Sequence, residues 1–472
     1  MLSGKIHTIS VKMIYWLWNW FKISLFILRV GPFRALNRLK RYPWLRTLLK
    51  VNHLHWKLTQ GRSGNYLKAT SAVLSEVVSG VTLFLVETFK HEGDLVLHED
   101  MIPPEILRAM GLRPFMAELL GILMPMIDPH AMEEYIDRCE AEGIPPDLCS
   151  LPKSTMGLSL AGHFPPVQAI LASNLPCDGG MASYALLERI VNKPIYRLDI
   201  PYDFMSEQAA DYFCGELENM ISWLEKNTRG RMDWDLLQEI CVGRNVMVEH
   251  EQDIWDMLRS KPAPMAGEPV WMSHLWSFNV HPGTPESVRL FRKIKKWTEQ
   301  NLRRGIAALP QEKFRAILWN PPTIHCVDIF NWAERMYGIS LIMDSMTYNR
   351  TPYIDTSSHQ TMLRSLGQVI MQGPMARHTR GPAENYLSDI FFLHENFQLD
   401  MVWVAGHIGC KNTMALNSIL REECRQRGIP LLIIEYDLTD PRVVSRQRII
   451  DQINHFMESI MNADSPPAAD IF

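Results

Sequence analysis

Three cysteines stand where an α/β chain can put a thiol to use. Cys410 closes MVWVAGHIGC (401–410), an apolar run that stops at two glycines and a histidine before the helix-like TMALNSILREE (413–423). Cys177 ends QAILASNLPC (168–177) in the same way, and Cys149 lies in the proline-flanked PPDLCSLPKSTMG (145–157). Such loops lie beyond the carboxyl ends of strands, where open parallel sheets bind ligands and the next helix offers free N–H groups. Thiolates are soft ligands that suit iron–sulfur clusters, and three of them leave one iron of a cubane open to substrate. A free cysteine also serves as a small apolar filler, so position alone leaves both roles open.

The elements needed to hold these loops repeat along the chain. The cysteine run 168–177 is followed by SYALLERIV (183–191) at helical spacing and by the strand-like KPIYRLDIPYD (193–203). FRAILWNPPTIHC (314–326) leads to DIFNWAERMYG (328–338) and ISLIMD (339–344), and Cys410 leads through its helix to GIPLLIIEYD (428–437). Strands alternating with helices of this length make βαβ units and parallel sheets. Between them, 207–227 and 235–260 read as helices, and KPAPMAGEP (261–269) marks a boundary. The expected architecture is α/β, with two doubly wound parallel-sheet domains: an N-terminal helical extension (1–70), a first domain with a helical insertion (71–268) and a second domain (269–472).

Composition narrows the class. A chain of 472 residues with net charge -4 has length for two or three cores and no dominant basic stripe, so nucleic acid is not an expected partner. The eight cysteines include no CxxC pair, which points to reduced thiols and a cytoplasmic location. Cys214, Cys241 and Cys424 fall in helical patterns and read as ordinary thiols. The apolar stretch 13–30 is interrupted by Lys22 and Arg29 and followed by Arg34, Arg38, Lys40 and Arg41. It reads as a packed helix or one in peripheral contact with a membrane, rather than a span. No GxxxxGK[ST] or GxGxxG occurs, so this chain is not expected to bind ATP or a dinucleotide.

From about residue 95 onward the sequence resembles the 2-hydroxyacyl-CoA dehydratase and benzoyl-CoA reductase superfamily of anaerobes, whose catalytic subunits have two flavodoxin-like domains. The resemblance rests on PPEILRAMGLRPF (103–115), DLCSLPKSTMG (147–157), ILASNLPCDGG (170–180), KPIYRLDIPYD and HIGCKNTMALNSILREECRQRGIPLLIIEYDLTDPR (407–442). It implies a 4Fe-4S cluster on Cys149, Cys177 and Cys410, with Cys326 left as a spare thiol. The implied substrate is a 2-hydroxyacyl-CoA thioester, reduced to a ketyl radical that expels its hydroxyl group. The implied partners are a paralogous second subunit or a second copy, and an ATP-dependent iron–sulfur activator. An aryl-CoA reductase subunit, or a non-catalytic relay or scaffold with a fourth protein ligand, is the alternative.

Proton movement needs an acid or base, for which Glu105 and His407 are the candidates. Glu105 also reads as a first-turn carboxylate behind Pro103 and Pro104, stabilised by the helix dipole. Lys153, Ser154, Lys411 and Asn412 either serve the cluster and thioester or, for Ser154 and Asn412, cap helices. Arg303, Arg304 and Lys313 are placed to meet CoA phosphates or to form solvated faces. Asp437, Asp440 and Arg442 read as a salt-bridged turn.

Overall fold

The computed structural model describes residues 2–90, 93–320, 322–345, 347, 348 and 351–464, with residues 2–9 as backbone only. It contains two sheets of four parallel strands. The first holds β1 (Leu95–His98), β2 (Arg113–Met116), β3 (Ala169–Ser173) and β4 (Ile195–Leu198) in the order β2-β1-β3-β4. The second holds β5 (Phe314–Trp319), β6 (Ile339–Asp344), β7 (Met401–His407) and β8 (Leu431–Tyr436) in the order β6-β5-β7-β8. Both sheets therefore have the same doubly wound order, with the chain turning opposite ways from the two central strands.

The central strands are continuous apolar runs because helices cover both faces of a parallel sheet. All residues of the central strands β1, β3 and β7 are buried, as are those of the edge strand β6. Gly338 and Gly428 end their helices at φ 66° and 67°, the left-handed conformation glycine adopts without strain, and β6 and β8 follow. The sequence pattern marks six of the strands and leaves β1 and β2 unmarked. Each has only four residues, too few to show a period, and β2 contains Pro114. Pro114 is tolerated because β2 is an edge strand, where a missing N–H leaves no partner unpaired.

The inserted helices are Glu207–Asn227 and Trp234–Leu258, capped by Ser206 and Asp233, whose side chains accept from the N–H groups of Ala209 and Leu236. Helix Leu2–Val30 lies along helix Gly64–Lys90 and buries Asn19, Ile23, Phe26 and Val30. Lys22, which interrupts the apolar run, donates to Ser75 O at 2.9 Å and Ser79 Oγ at 2.5 Å on the longer helix. Among the described residues only Gly64–Lys90 is long and apolar enough to cross a membrane, and 72% of its most apolar stretch is buried within the protein. That helix runs unbroken through residue 70, and helix Glu268–Asn279 begins within the segment KPAPMAGEP.

Candidate active site: a three-thiol cavity between two sheet ends

Each of the three cysteines immediately precedes a helix. Cys149 stands before Ser150–Leu160, Cys177 follows β3 and stands before Asp178–Val191, and Cys410 follows β7 and stands before Lys411–Ala415. Cys177 and Cys410 thus occupy equivalent places, beyond the third strand of each sheet. All three line a single cavity of about 1210 Å³, mouth included, walled by apolar side chains such as Leu119, Ile122, Trp271 and Leu275. A Cβ on Gly409 would lie 2.8 Å from Cys149 Cα, so only glycine lets the Cys410 loop come this close. The residues after Cys410 hold the other two loops. Asn412 donates to Pro176 O at 3.2 Å, and Lys411 pairs with Asp147 at 3.2 Å.

Burial and proximity act on the thiols of Cys149 and Cys177. Burial pushes Cys149 well above the ordinary thiol range, and the neighbouring Cys410 and Cys177 push the same way. Burial raises Cys177 as well, while the Gly180 N–H, 3.5 Å from its sulfur, acts against it. Crowded, desolvated thiols keep their protons unless a cationic group takes up the negative charge. His407 Nε2 lies 3.1 Å from Cys149 Sγ, and the Leu438 N–H donates to His407 Nδ1 at 3.1 Å. With Nδ1 accepting, the proton of the neutral ring is assigned to Nε2, so His407 donates to sulfur. Burial holds His407 below its usual pKa, in keeping with a neutral ring.

Three thiols lining one cavity are a donor set of the soft kind that an iron–sulfur cluster takes. Among the described residues no three His, Cys, Asp or Glu side chains close on a single ion; the thiols border a volume. Cys326 lies in the turn Ile324–Cys326, is 1% exposed and does not line the cavity, and burial pushes its thiol up to about 12. It is a core residue. All eight cysteines are free, and Cys214, Cys241 and Cys424 are buried in helices.

The same cavity holds three carboxyls that the sequence pattern did not single out. Glu99 and Asp100 follow β1, and Glu118 heads helix Glu118–Ile127. Ser173 Oγ donates to Glu99 Oε2 at 2.6 Å, yet burial holds this carboxyl well above the usual range. Burial pushes Asp100 up to about 6 and Glu118 up to about 7, the latter against a 3.1 Å hydrogen bond from the Tyr184 hydroxyl. Glu105 lies elsewhere. It is buried beside Arg244 Nε at 3.0 Å and lines a neighbouring cavity of about 740 Å³, not the thiol cavity.

The remaining candidates do not line the thiol cavity. Lys153 donates to Glu140 at 2.6 Å and Pro146 O at 2.7 Å, and Ser154 donates to Leu151 O. Neither Ser154 nor Asn412 caps a helix. Arg303 and Arg304 are exposed, and with Lys313 they lie outside the thiol cavity. Asp437 accepts from the Thr439 and Asp440 N–H groups, and Arg442 pairs with Asp440 and, at 2.8 Å, with Asp137 of the first domain. They form the salt-bridged turn read from the sequence, and it joins the two domains.

Residues 101–460 match the model of the family described as 2-hydroxyglutaryl-CoA dehydratase, D-component. The chain belongs to that family. It is similar to the alpha subunit of lactoyl-CoA dehydratase from Anaerotignum propionicum, with 22% identity over 78% of this chain and 91% of the relative. It is also similar to one subunit of the benzoyl-CoA reductase of Thauera aromatica, with 20% identity over 68% of this chain and 78% of the relative. A 153-residue stretch is 25% identical to the alpha subunit of (R)-2-hydroxyglutaryl-CoA dehydratase from Acidaminococcus fermentans, 32% of each chain. In this D-component family member all three thiols and Glu118 lie inside the matched stretch, and β1 with the helices before it lies outside. The signal that marks Glu99 and Asp100 is an acid pair directly after the short run LVLH, three apolar residues and a histidine; Glu118 is marked only by its place before largely apolar residues.

Proposed function

We propose that this chain is the cluster-bearing subunit of a 2-hydroxyacyl-CoA dehydratase, a lyase that eliminates water from a 2-hydroxyacyl thioester. One observation carries the reading: thiols from both domains and three carboxyls line one largely apolar cavity. Cys149, Cys177 and Cys410 would hold a 4Fe-4S cluster. Bound there, it would supply an open Lewis-acidic iron and the single electron that turns the thioester into a ketyl radical able to lose its hydroxyl group.

The residues of the chain do the rest. His407 donates to the Cys149 sulfur, which disperses negative charge. The apolar wall excludes water from the acyl group. Glu118, which burial and the neighbouring Asp100 keep protonated up to about pH 7, donates to the departing hydroxyl. Each of the matched relatives is named as one subunit of its enzyme, so we assign this chain a partner subunit, and an ATP-dependent activator as the electron source. Dehydration is preferred to ring reduction because the family model and the relative covering most of its own length are dehydratases.

The test is anaerobic reconstitution with iron and sulfide, followed by iron analysis and electron paramagnetic resonance of the wild type, Cys410→Ala and Cys326→Ser. The reading expects cluster signals in the wild type and Cys326→Ser and their loss in Cys410→Ala. Equal iron in the wild type and Cys410→Ala would overturn it.

A further inference from the structure

Helix Leu2–Val30 has two apolar faces, and the protein covers one of them. Asn19, Ile23, Phe26 and Val30 face helix Gly64–Lys90. Ile14, Leu17, Trp18, Phe21 and Leu28, at spacings of 3, 4, 7 and 14 residues, share the opposite side and are exposed, Leu28 by 73%. The stripe continues onto helix Pro32–Arg41, where Phe33, 86% exposed, shares a face with Leu36 and Lys40. Trp18 and Phe21 stack at 5.3 Å, an aromatic pair held towards solvent. Soluble proteins seldom present so continuous an apolar patch without a partner for it.

Charge identifies the partner. Residues 1–75 contain 13 Lys and Arg and no Asp or Glu, although the whole chain has 48 basic and 52 acidic residues. Arg29, Arg34, Lys40, Arg41, Arg46 and Lys50 are exposed around the apolar stripe, and none forms an ion pair among the described residues. The first acid, Glu76, is half-buried in the supporting helix. The face lies before residue 101, outside the stretch that matches the dehydratase family model. A helix held against the protein on one side through Asn19 and Lys22, with its other side apolar and open, is suited to lie flat on a bilayer.

We infer that this face docks the protein on an anionic lipid surface, with Ile14, Leu17, Trp18, Phe21, Leu28 and Phe33 in the acyl boundary and the basic residues against headgroup phosphates. Trp and Phe suit that depth, and a basic rim draws the protein to a negative leaflet within a Debye length. This inference stands apart from the proposed chemistry.

The test is co-sedimentation of the full chain with vesicles of phosphatidylcholine alone or with about 30% phosphatidylglycerol. The wild type should bind the anionic vesicles at least about tenfold more tightly than the neutral ones, and less so as salt rises. Trp18→Glu/Phe21→Glu should abolish binding, with unchanged circular dichroism and thermal midpoint, and Arg34→Glu/Lys40→Glu should weaken it. Leu28→Ser/Phe33→Ser, at the two most exposed positions, serves if the first double variant misfolds. No binding of the wild type to anionic vesicles would overturn the inference, as would binding that the stripe variants leave intact. A dimer in lipid-free solution that Trp18→Glu/Phe21→Glu converts to monomer, without vesicle binding, would instead assign the face to a second copy.

Discussion

Glu105 and Glu118 are both first-turn carboxylates of apolar helices, and their surroundings give them different work. Arg244 lies 3.0 Å from Glu105 and partly offsets the burial that raises its pKa. Burial, helped by the charge of Asp100 and only partly opposed by the hydrogen bond from the Tyr184 hydroxyl, pushes the Glu118 carboxyl up to about 7. As a proton donor it loses its proton as pH rises through that value. Turnover is therefore expected to fall on an alkaline limb near pH 7, and Glu118→Gln to lower kcat by about 10²- to 10⁴-fold with that limb gone, as a pH–rate profile would show. The linked stability effect has the same sign. A carboxyl that holds its proton more tightly when folded stabilises less as pH rises from about 4.5 to 7, so Glu118→Gln should flatten that part of the thermal-stability profile. Cys326→Ser, by contrast, should leave cluster loading unchanged and cost stability through a buried hydroxyl, seen as a lower thermal midpoint.

At the scale of elements, the site depends on loops at the carboxyl ends of β3 and β7 approaching the Cys149 turn. Gly409 sets that approach, since a Cβ there would meet Cys149 Cα at 2.8 Å and Cys149 N at 3.2 Å. Backbone cannot yield as a flexible side chain does. Gly409→Ala is expected to part the Cys410 and Cys149 loops and to lower iron content after reconstitution at least about tenfold, while circular dichroism stays that of the wild type. The order of strand, cysteine loop and helix was legible in the sequence because Cys177 and Cys410 each end a buried apolar run before a helix-spaced one. The strands β1 and β2 were not legible, and with them went the acid pair Glu99–Asp100. Four-residue strands carry no period, and their burial comes from neighbours distant in sequence.

Across the whole molecule, the N-terminal segment is built into the second domain by a buried charge cluster. Arg62, 4% exposed, donates to Glu268 at 2.8 Å and to Glu334 at 3.2 Å, and the Tyr66 hydroxyl donates to Glu334 at 2.5 Å. Removing the guanidinium leaves two buried carboxyls without their cation. Arg62→Met is expected to destabilise the fold by about 3–5 kcal/mol, read as a lower denaturation midpoint, and Glu334→Gln by less, since burial already raises that carboxyl to about 7. By itself the sequence determined the repeating strand–helix order, the three loop cysteines, the salt-bridged turn of Asp437, Asp440 and Arg442, and the family resemblance, all of which are properties of local runs. Only the tertiary structure decided that the three thiols share a cavity, that Cys326 belongs to the core, that Glu118 rather than Glu105 lines the site, and that one face of the first helix stays uncovered. Each of these depends on which distant segments remove water from a group, and desolvation is set by three-dimensional neighbours that no stretch of sequence names.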